Sequence, residues 1–138
     1  MKAILLAASL IAAHSSRPAI TSRQALQIVE REVFRNDPKV GVSISSDPND
    51  PAFYFVEAAW DNPHGSMIAG HFAVNSHTAT LWNVQGSVCG VLTSDRLAKF
   101  QQTLRLGLPM DRPTFAKLSS KRPTVCSIIE GTRAAKAY

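Results

Sequence analysis

The spacing of apolar residues changes along this chain, and the change predicts an α+β fold. Between residues 22 and 35, and again between residues 95 and 106, apolar side chains recur every three or four positions, as on one face of a helix. From residue 40 to residue 84, apolar and polar side chains instead alternate, as in strands with one buried face. We therefore predict an N-terminal helix packed on an antiparallel β-meander of three to four strands, followed by a second helix and a C-terminal tail.

Turn and cap residues set the limits of these elements. Thr21 and Gln24 have the spacing of a capping box, which predicts that the first helix starts at residue 22. Pro38 ends this helix near residue 35, because a residue that precedes proline avoids the helical conformation. Gly107 ends the second helix. The strands are predicted at residues 40–45, 53–60, 67–74 and 78–84, with a short additional strand at 124–129.

The first residues have the composition of a signal peptide. Lys2 precedes an apolar stretch that runs to Ala13 and is too short to cross a bilayer. Small residues favour cleavage after Ser15; cleavage after Ala13 and an uncleaved N-terminal helix are the alternatives. We therefore expect a signal peptide over residues 1–15 and one α+β domain over 16–138. The mature protein would be periplasmic or secreted, without a stable membrane span.

Export changes the interpretation of the two cysteines, Cys89 and Cys126. In an oxidising compartment, two cysteines of a small domain most simply form one disulfide. Closing this loop would stabilise the fold by about 4 kcal/mol if the gain comes from the entropy of the unfolded chain. The predicted bond ties the C-terminal tail to the region after the last strand of the meander.

The formal net charge of +5 is concentrated in the C-terminal part of the chain. The chain has no lysine or arginine run longer than two residues, no aromatic ladder and no signature of a nucleic-acid-binding fold. Together with the predicted export, this argues against nucleic acid as a partner and favours an anionic envelope polymer, an acidic protein face or simple solvation. The basic residues of this region are Arg112, Lys117, Lys121, Arg122, Arg133 and Lys136.

Patterns that would indicate catalysis or metal binding are sparse. His64, His71 and His77 do not have the spacing of a zinc site, and we predict no metal and no cofactor. Glu57 shares a strand face with phenylalanines, and we interpret it as a partly exposed carboxylate or one paired with an arginine. The alternative in which the protein is an enzyme is a small secreted Cys-dependent hydrolase, with Cys89 as the nucleophile and His71 as the base.

The hairpin between Gly70 and Trp82 carries a resemblance to a known family. A hydrophobic strand ends in Val74-Asn75, a turn follows, and a second strand comes after it. With the helix before it, this arrangement over residues 21–84 resembles the PepSY type of small extracytoplasmic domain, which has glycine where this chain has Ala79. The second helix and the cysteine-containing tail lie outside that pattern. The resemblance implies an envelope or secreted module that restrains a peptidase or binds a partner.

Aromatic and histidine side chains concentrate on the predicted sheet and its loops, where they could supply contact area for a partner. For Tyr54 and Trp82, packing against the sheet is the alternative to binding a partner. We predict a non-catalytic exported module that binds another protein in the envelope or outside the cell, as an inhibitor or immunity-type protein acting on an envelope hydrolase. The alternatives are the Cys-dependent hydrolase and a sensor domain that binds a small ligand. The predicted partner-binding residues are Tyr54, Trp60, His64, His71 and Trp82.

Overall fold

A computed structural model describes residues 17–84 and 89–126, which form an α+β fold. Its elements are α1 (Ser22–Glu32), β1 (Val40–Ser46), β2 (Phe53–Trp60), β3 (Met67–Asn75), β4 (Leu81–Asn83), β5 (Gly90–Leu92), α2 (Asp95–Gly107) and α3 (Arg112–Ser119). The strands form one antiparallel sheet in the order β1-β2-β3-β4-β5. The predicted fold class, with its N-terminal helix and antiparallel meander, is confirmed.

The sheet contains one strand more than the three to four that were predicted. β5 is only three residues long, so its sequence shows no alternation that could reveal a strand. The strand predicted over 124–129 is wrong in its described part, because residues 124–126 form a helical turn in which the Cys126 N–H donates to the Pro123 carbonyl (3.0 Å). The rest of that strand, and the signal peptide predicted over 1–15, lie outside the described residues.

The turn between β3 and β4 is longer than predicted, and Asn75 organises it. The Asn75 Oδ1 atom accepts the backbone N–H groups of His77 and Thr78, at 2.9 and 3.2 Å. Ala79 adopts a φ of 58°, in the left-handed region that favours glycine. Because the turn continues through Ala79, β4 begins at Leu81 and not at residue 78.

The helices begin where the sequence supplies caps. The Thr21 hydroxyl accepts the Gln24 N–H at 3.2 Å, and the Gln24 side chain accepts the Thr21 N–H at 2.8 Å, which is the predicted capping box. At the start of α2, the Ser94 hydroxyl accepts the Leu97 N–H at 3.1 Å and donates to the Glu32 carboxylate at 2.5 Å. Ser94 therefore caps α2 and ties it to the end of α1.

One face of the sheet, here called the helix-covered face, packs against α1 and α2. Phe34 contacts Phe72 edge to face, with 5.8 Å between the ring centroids. Full burial of a large apolar side chain contributes about 1.5–3 kcal/mol, so this layer supplies most of the apolar stabilisation. Its buried side chains are Ile20, Ala25, Ile28, Val29, Val56, Ala58, Phe72, Val74, Ala79, Leu81 and Leu97.

The opposite face, here called the open face, is covered in part by residues 120–126, here called the C-terminal segment. Cys126 is fully buried and belongs to a second apolar cluster with Phe53, Ala73 and Trp82. The predicted disulfide between Cys89 and Cys126 is present and closes this corner of the domain. Within the described ranges, no helix has the length and apolar character needed to cross a membrane.

Candidate functional site

The C-terminal segment leaves part of the open face uncovered, and this part is a groove of about 570 Å³. Strands β1, β2 and β3 form its floor. The loop between β1 and β2 and the C-terminal segment form its margins. The side chains that define the groove are Asp47, Asp50, Phe55, Glu57, His71 and Val125.

Glu57 and His71 lie in the floor of the groove as direct cross-strand partners on β2 and β3. The His71 Nδ1 atom is 3.6 Å from the Glu57 Oε2 atom, and the two side chains are 45% and 49% exposed. A contact that is this accessible contributes about 1 kcal/mol or less even where the imidazole carries a proton, because water competes for both groups. The Glu57 carboxylate can therefore exchange His71 for a partner's cation at small cost.

Two aspartates add negative charge at the margin of the groove. Asp50 is 3% exposed, and its Oδ2 atom accepts the Thr124 N–H at 2.8 Å, which attaches the C-terminal segment to the loop before β2. The Asp47 Oδ1 atom accepts the Asn49 N–H at 2.9 Å, while the side chain stays exposed. The groove thus combines three carboxylates with one histidine on a chain whose formal net charge is +5.

The structure places the five predicted partner-binding residues in different surroundings. His71 lines the groove. Tyr54 lies on the helix-covered face, where its hydroxyl donates to the Ile20 carbonyl at 3.0 Å. Trp82 is 7% exposed, in the cluster under the C-terminal segment. Tyr54 and Trp82 therefore pack within the domain and do not meet His71 in one exposed surface.

Trp60 and His64 lie together in the hairpin between β2 and β3, whose residues 60–68 are here called the hairpin tip. Trp60 is 43% exposed and pairs with Met67, which is 57% exposed. A bulge in β2 and β3 places Ile68 opposite Ala59, on the strand face that carries Glu57. Trp60 and Met67 occupy the alternate positions, on the side of the sheet that carries Ala58. The hairpin tip therefore exposes apolar side chains on both faces of the sheet, and Ile68, which is 48% exposed, is the one of these three on the face of the acidic groove.

The Cys-dependent hydrolase alternative needs a free thiol at Cys89. In the structure the sulfur of this residue is bonded to Cys126. The nucleophile of that alternative is therefore occupied in the oxidised protein. The described residues also contain no group of three or more histidine, cysteine, aspartate or glutamate side chains that could hold a metal ion.

Sequence reasoning singled out Glu57 and His71 separately, and it missed Asp47, Asp50 and Phe55 as neighbours in one groove. The two aspartates belong to a segment rich in proline and asparagine that predicts a turn and nothing further. No local signal could have placed them near the tail, because the contact between Asp50 and Thr124 joins residues that are 74 positions apart in the chain.

Comparison with known proteins adds a fold relationship. A scan against protein-family models finds no match for this chain, and a search of curated proteins finds none either. Among solved structures, the fold is similar to a chain of a type VI secretion system effector-immunity complex from Pseudomonas protegens. The sequence identity is 17% and the TM-score is 0.57, over 72% of this chain and 85% of that chain. At this identity the likeness shows a shared fold.

Proposed function

We propose that this protein is an exported, non-catalytic module that binds a protein partner through its open face, as an inhibitor or immunity-type protein. The observation that carries the proposal is the acidic groove, which residues 17–84 and 89–126 leave uncovered on a chain of opposite net charge. Charge that contrasts with the rest of the surface favours one orientation of a partner and speeds its encounter.

The fold relationship supports the same function. The similar chain comes from an effector-immunity complex, in which proteins are bound to one another. Ile68, which is 48% exposed on the face that carries Glu57, supplies an apolar contact beside the groove. Apolar contacts provide most of the binding energy of a protein interface, and charges provide orientation. The module implied by the PepSY resemblance would use the same kind of surface.

The disulfide supports an exported location. Disulfides persist in the periplasm and outside the cell and are rare in reducing cytosol. The bond between Cys89 and Cys126 therefore agrees with a signal peptide over residues 1–15 and with a partner in the envelope or outside the cell. A toxin or hydrolase that acts on the envelope is the partner class that we favour.

A capture experiment with matched variants tests this function. The mature, oxidised protein is immobilised and exposed to envelope extract, and the activity of any captured protein is measured with and without an excess of the module. Glu57→Lys reverses one charge in the groove, and Asp95→Lys makes the same change at an exposed position of α2. We expect Glu57→Lys to weaken capture at least about tenfold and Asp95→Lys to leave it unchanged.

Three results would contradict the proposal. Equal capture by both variants would remove the groove from the interface. The absence of any saturable protein partner would count against the binding function itself. A small molecule that co-purifies with the protein and occupies the groove would favour the sensor alternative, because a volume of about 570 Å³ also suits a small ligand.

A further inference from the structure

β1 is the outer strand of the sheet on the side of the groove. It is seven residues long and pairs with β2 alone within the described part of the chain. Long outer strands are usually protected by charged residues or proline, because their free edge can pair with another chain. The residues that β1 presents on the open face are Gly41, Ser43 and Ser45, which are small and uncharged.

The hydrogen-bond pattern identifies the backbone groups on this free edge. The Asp61 N–H donates to the Lys39 carbonyl at 3.0 Å, and in antiparallel strands the bonded pairs alternate. Lys39 and Asp61 are thus a bonded pair, and every second pair along the register of β1 and β2 is bonded as well. The N–H and C=O groups of Ser43 therefore point toward Glu57. The groups of Val42, Ile44 and Ser46 then point away from the sheet.

Two bonds on the far side of β3 lead to the same assignment. The Val84 N–H donates to the His71 carbonyl at 3.0 Å, and the Asn75 N–H donates to the Thr80 carbonyl at 2.9 Å. His71 and Asn75 of β3 therefore bond toward β4, and Phe72 between them bonds to Val56 of β2. The neighbouring β2 residue, Glu57, then bonds toward β1, in agreement with the pair that it forms with Ser43.

The other outer strand, β5, differs from β1 in its length and in the number of residues whose backbone groups point outward. β5 is three residues long, and the register directs the groups of Gly90 and Leu92 toward β4, which leaves Val91 as the outward residue. It also lies next to the disulfide at Cys89. A short, covalently restrained edge is a poor template for an additional strand, whereas β1 offers outward backbone groups at three alternate residues.

We propose that an extended segment of the partner adds to β1 as a sixth strand, with a lysine or arginine side chain opposite Ser43 that reaches Glu57. This inference rests on the protein-binding function proposed above and names its mode. Main-chain hydrogen bonds to the free edge supply affinity, and side chains at alternate positions supply specificity.

The position opposite Ser43 suits a long basic side chain. In an antiparallel arrangement, which the proposal takes, Ser43 forms a non-bonded pair with the incoming residue, and in such pairs the side chains lie closest. Glu57 is the next residue along the same row, two strand spacings or about 10 Å from the incoming backbone. The small Ser43 side chain leaves that path clear, and the half-exposed Glu57 carboxylate marks its end.

The incoming residues on either side of the basic residue point toward the helix-covered face. Their side chains lie beside Val42 and Ile44, which are half-buried against the apolar layer under α1. A segment in which basic and apolar residues alternate therefore matches both sides of β1. A second copy of this chain does not match, because its own β1 would place only Gly41, Ser43 and Ser45 against the row that contains Glu57.

Amide hydrogen exchange on the full mature protein tests this inference directly. The probe is a synthetic peptide in which lysine alternates with valine, and the control peptide has glutamate in place of lysine. In the free protein, the outward N–H groups of Val42, Ile44 and Ser46 should exchange rapidly. With the lysine peptide they should slow at least about tenfold, whereas the already bonded N–H groups of Ser43 and Ser45 should change little.

A pair of variants separates the charge from the strand pairing. Ser43→Lys places an ammonium group next to Glu57 within the chain, so we expect peptide affinity to fall at least about tenfold with no loss of thermal stability. Gln102→Lys adds the same positive charge at an exposed position of α2, away from β1, and should bind the peptide as the parent does. Equal binding of the glutamate peptide, or of the Ser43→Lys variant, would overturn the role of Glu57.

The outcomes also separate this inference from the proposed function. If a captured protein partner leaves the outward β1 amides unprotected, the binding function stands and strand addition is overturned. If the lysine peptide protects those amides while no protein partner is found, strand addition stands and the proposed function fails. Protection of the outward β1 amides without any peptide, together with a doubled mass in solution, would instead assign the edge to a second copy and overturn the basic segment as its occupant.

Discussion

On the helix-covered face, α1 and α2 bury side chains such as Val29, Phe72 and Leu97 in continuous apolar contact. On the open face, a smaller apolar cluster around Phe53 and Trp82 lies under the C-terminal segment, and separate attachments hold the C-terminal region beside it. These attachments combine one covalent bond with two hydrogen bonds to buried polar side chains. The attachments are Cys89 to Cys126, Asp50 to the Thr124 N–H, and Asn75 Nδ2 to the Leu118 carbonyl at 2.9 Å.

This difference divides stability and binding between the two faces. Continuous apolar packing leaves no room for a partner, because a void in it removes contacts on every side. Point attachments hold a segment in place while the surface between them stays open, and the groove occupies that surface. Changes on the helix-covered face should therefore alter stability most, and changes on the open face should alter binding.

A matched pair of phenylalanine deletions tests this division most strongly. Phe72→Ala removes a side chain that is 4% exposed on the helix-covered face, and we expect the free energy of unfolding to fall by about 3–5 kcal/mol. Phe55→Ala removes a half-buried side chain from the groove and should cost roughly half as much. Urea unfolding at constant pH measures both. Equal losses would mean that the open face contributes as much to the core as the helix-covered face.

Removal of the disulfide should loosen the open face most. For Cys89→Ala combined with Cys126→Ala, we expect the free energy of unfolding to fall by about 2–4 kcal/mol, because the unfolded chain is no longer restrained. Amide exchange at the buried Val29 should accelerate only by the factor that this global loss sets, whereas exchange at Thr124 should accelerate more, because local opening of the C-terminal segment is added to it. Chemically reduced parent protein is the control and should behave as the double variant does. Equal acceleration at Thr124 and Val29 would show that the two faces open as one unit.

The polar attachment at Asn75 should matter less than the disulfide. Asn75→Ala leaves the N–H groups of His77 and Thr78 and the Leu118 carbonyl without the side chain that pairs with them, and we expect a loss of about 2–3 kcal/mol. Ser76→Ala is the control at the neighbouring position. The Ser76 Oγ atom is buried and has no hydrogen-bond partner in the residues that the structure describes, so its removal should be neutral or stabilising. Thermal unfolding compares the two variants.

The helix-covered face could be predicted from the sequence because its signals are local. The capping box at Thr21 and Gln24 gave the start of α1, and the alternation in β2 and β3 gave two strands with nearly correct limits. Each of these patterns depends on residues that are neighbours along the chain. The short β5 escaped prediction because three residues cannot display a period.

The candidate site could be predicted only in fragments, because it depends on register and on the path of the tail. Glu57 and His71 were both noticed, but nothing in the sequence states that these two residues are cross-strand partners. Trp82 attracted attention as an aromatic residue, and burial under the C-terminal segment explains why it does not form an exposed contact. Long-range contacts of this kind follow from the assembled sheet and not from local composition.

The smallest expected effect concerns the cap of α3, at the exposed end of the C-terminal region. The Asp111 carboxylate accepts the Thr114 N–H at 2.8 Å, and hydrogen bonds from the Thr114 side chain and then from its backbone hold the pKa of Asp111 below its ordinary value. A carboxyl whose pKa is lower in the folded protein stabilises the fold above its ordinary pKa of about 3.9, and that contribution is lost as the pH falls through the lower folded value.

Acid should therefore release the start of α3 before it affects the helix-covered face. In an NMR titration, the Asp111 carboxyl should titrate below the ordinary range of an aspartate, and the Thr114 amide should shift with it. Asp111→Asn keeps a capping oxygen without a titrating proton, so the Thr114 amide should then lose this pH dependence. If the Val29 amide followed the same titration, the helix-covered face and the open face would respond to acid as one unit. The proposed division between the two faces would then be wrong.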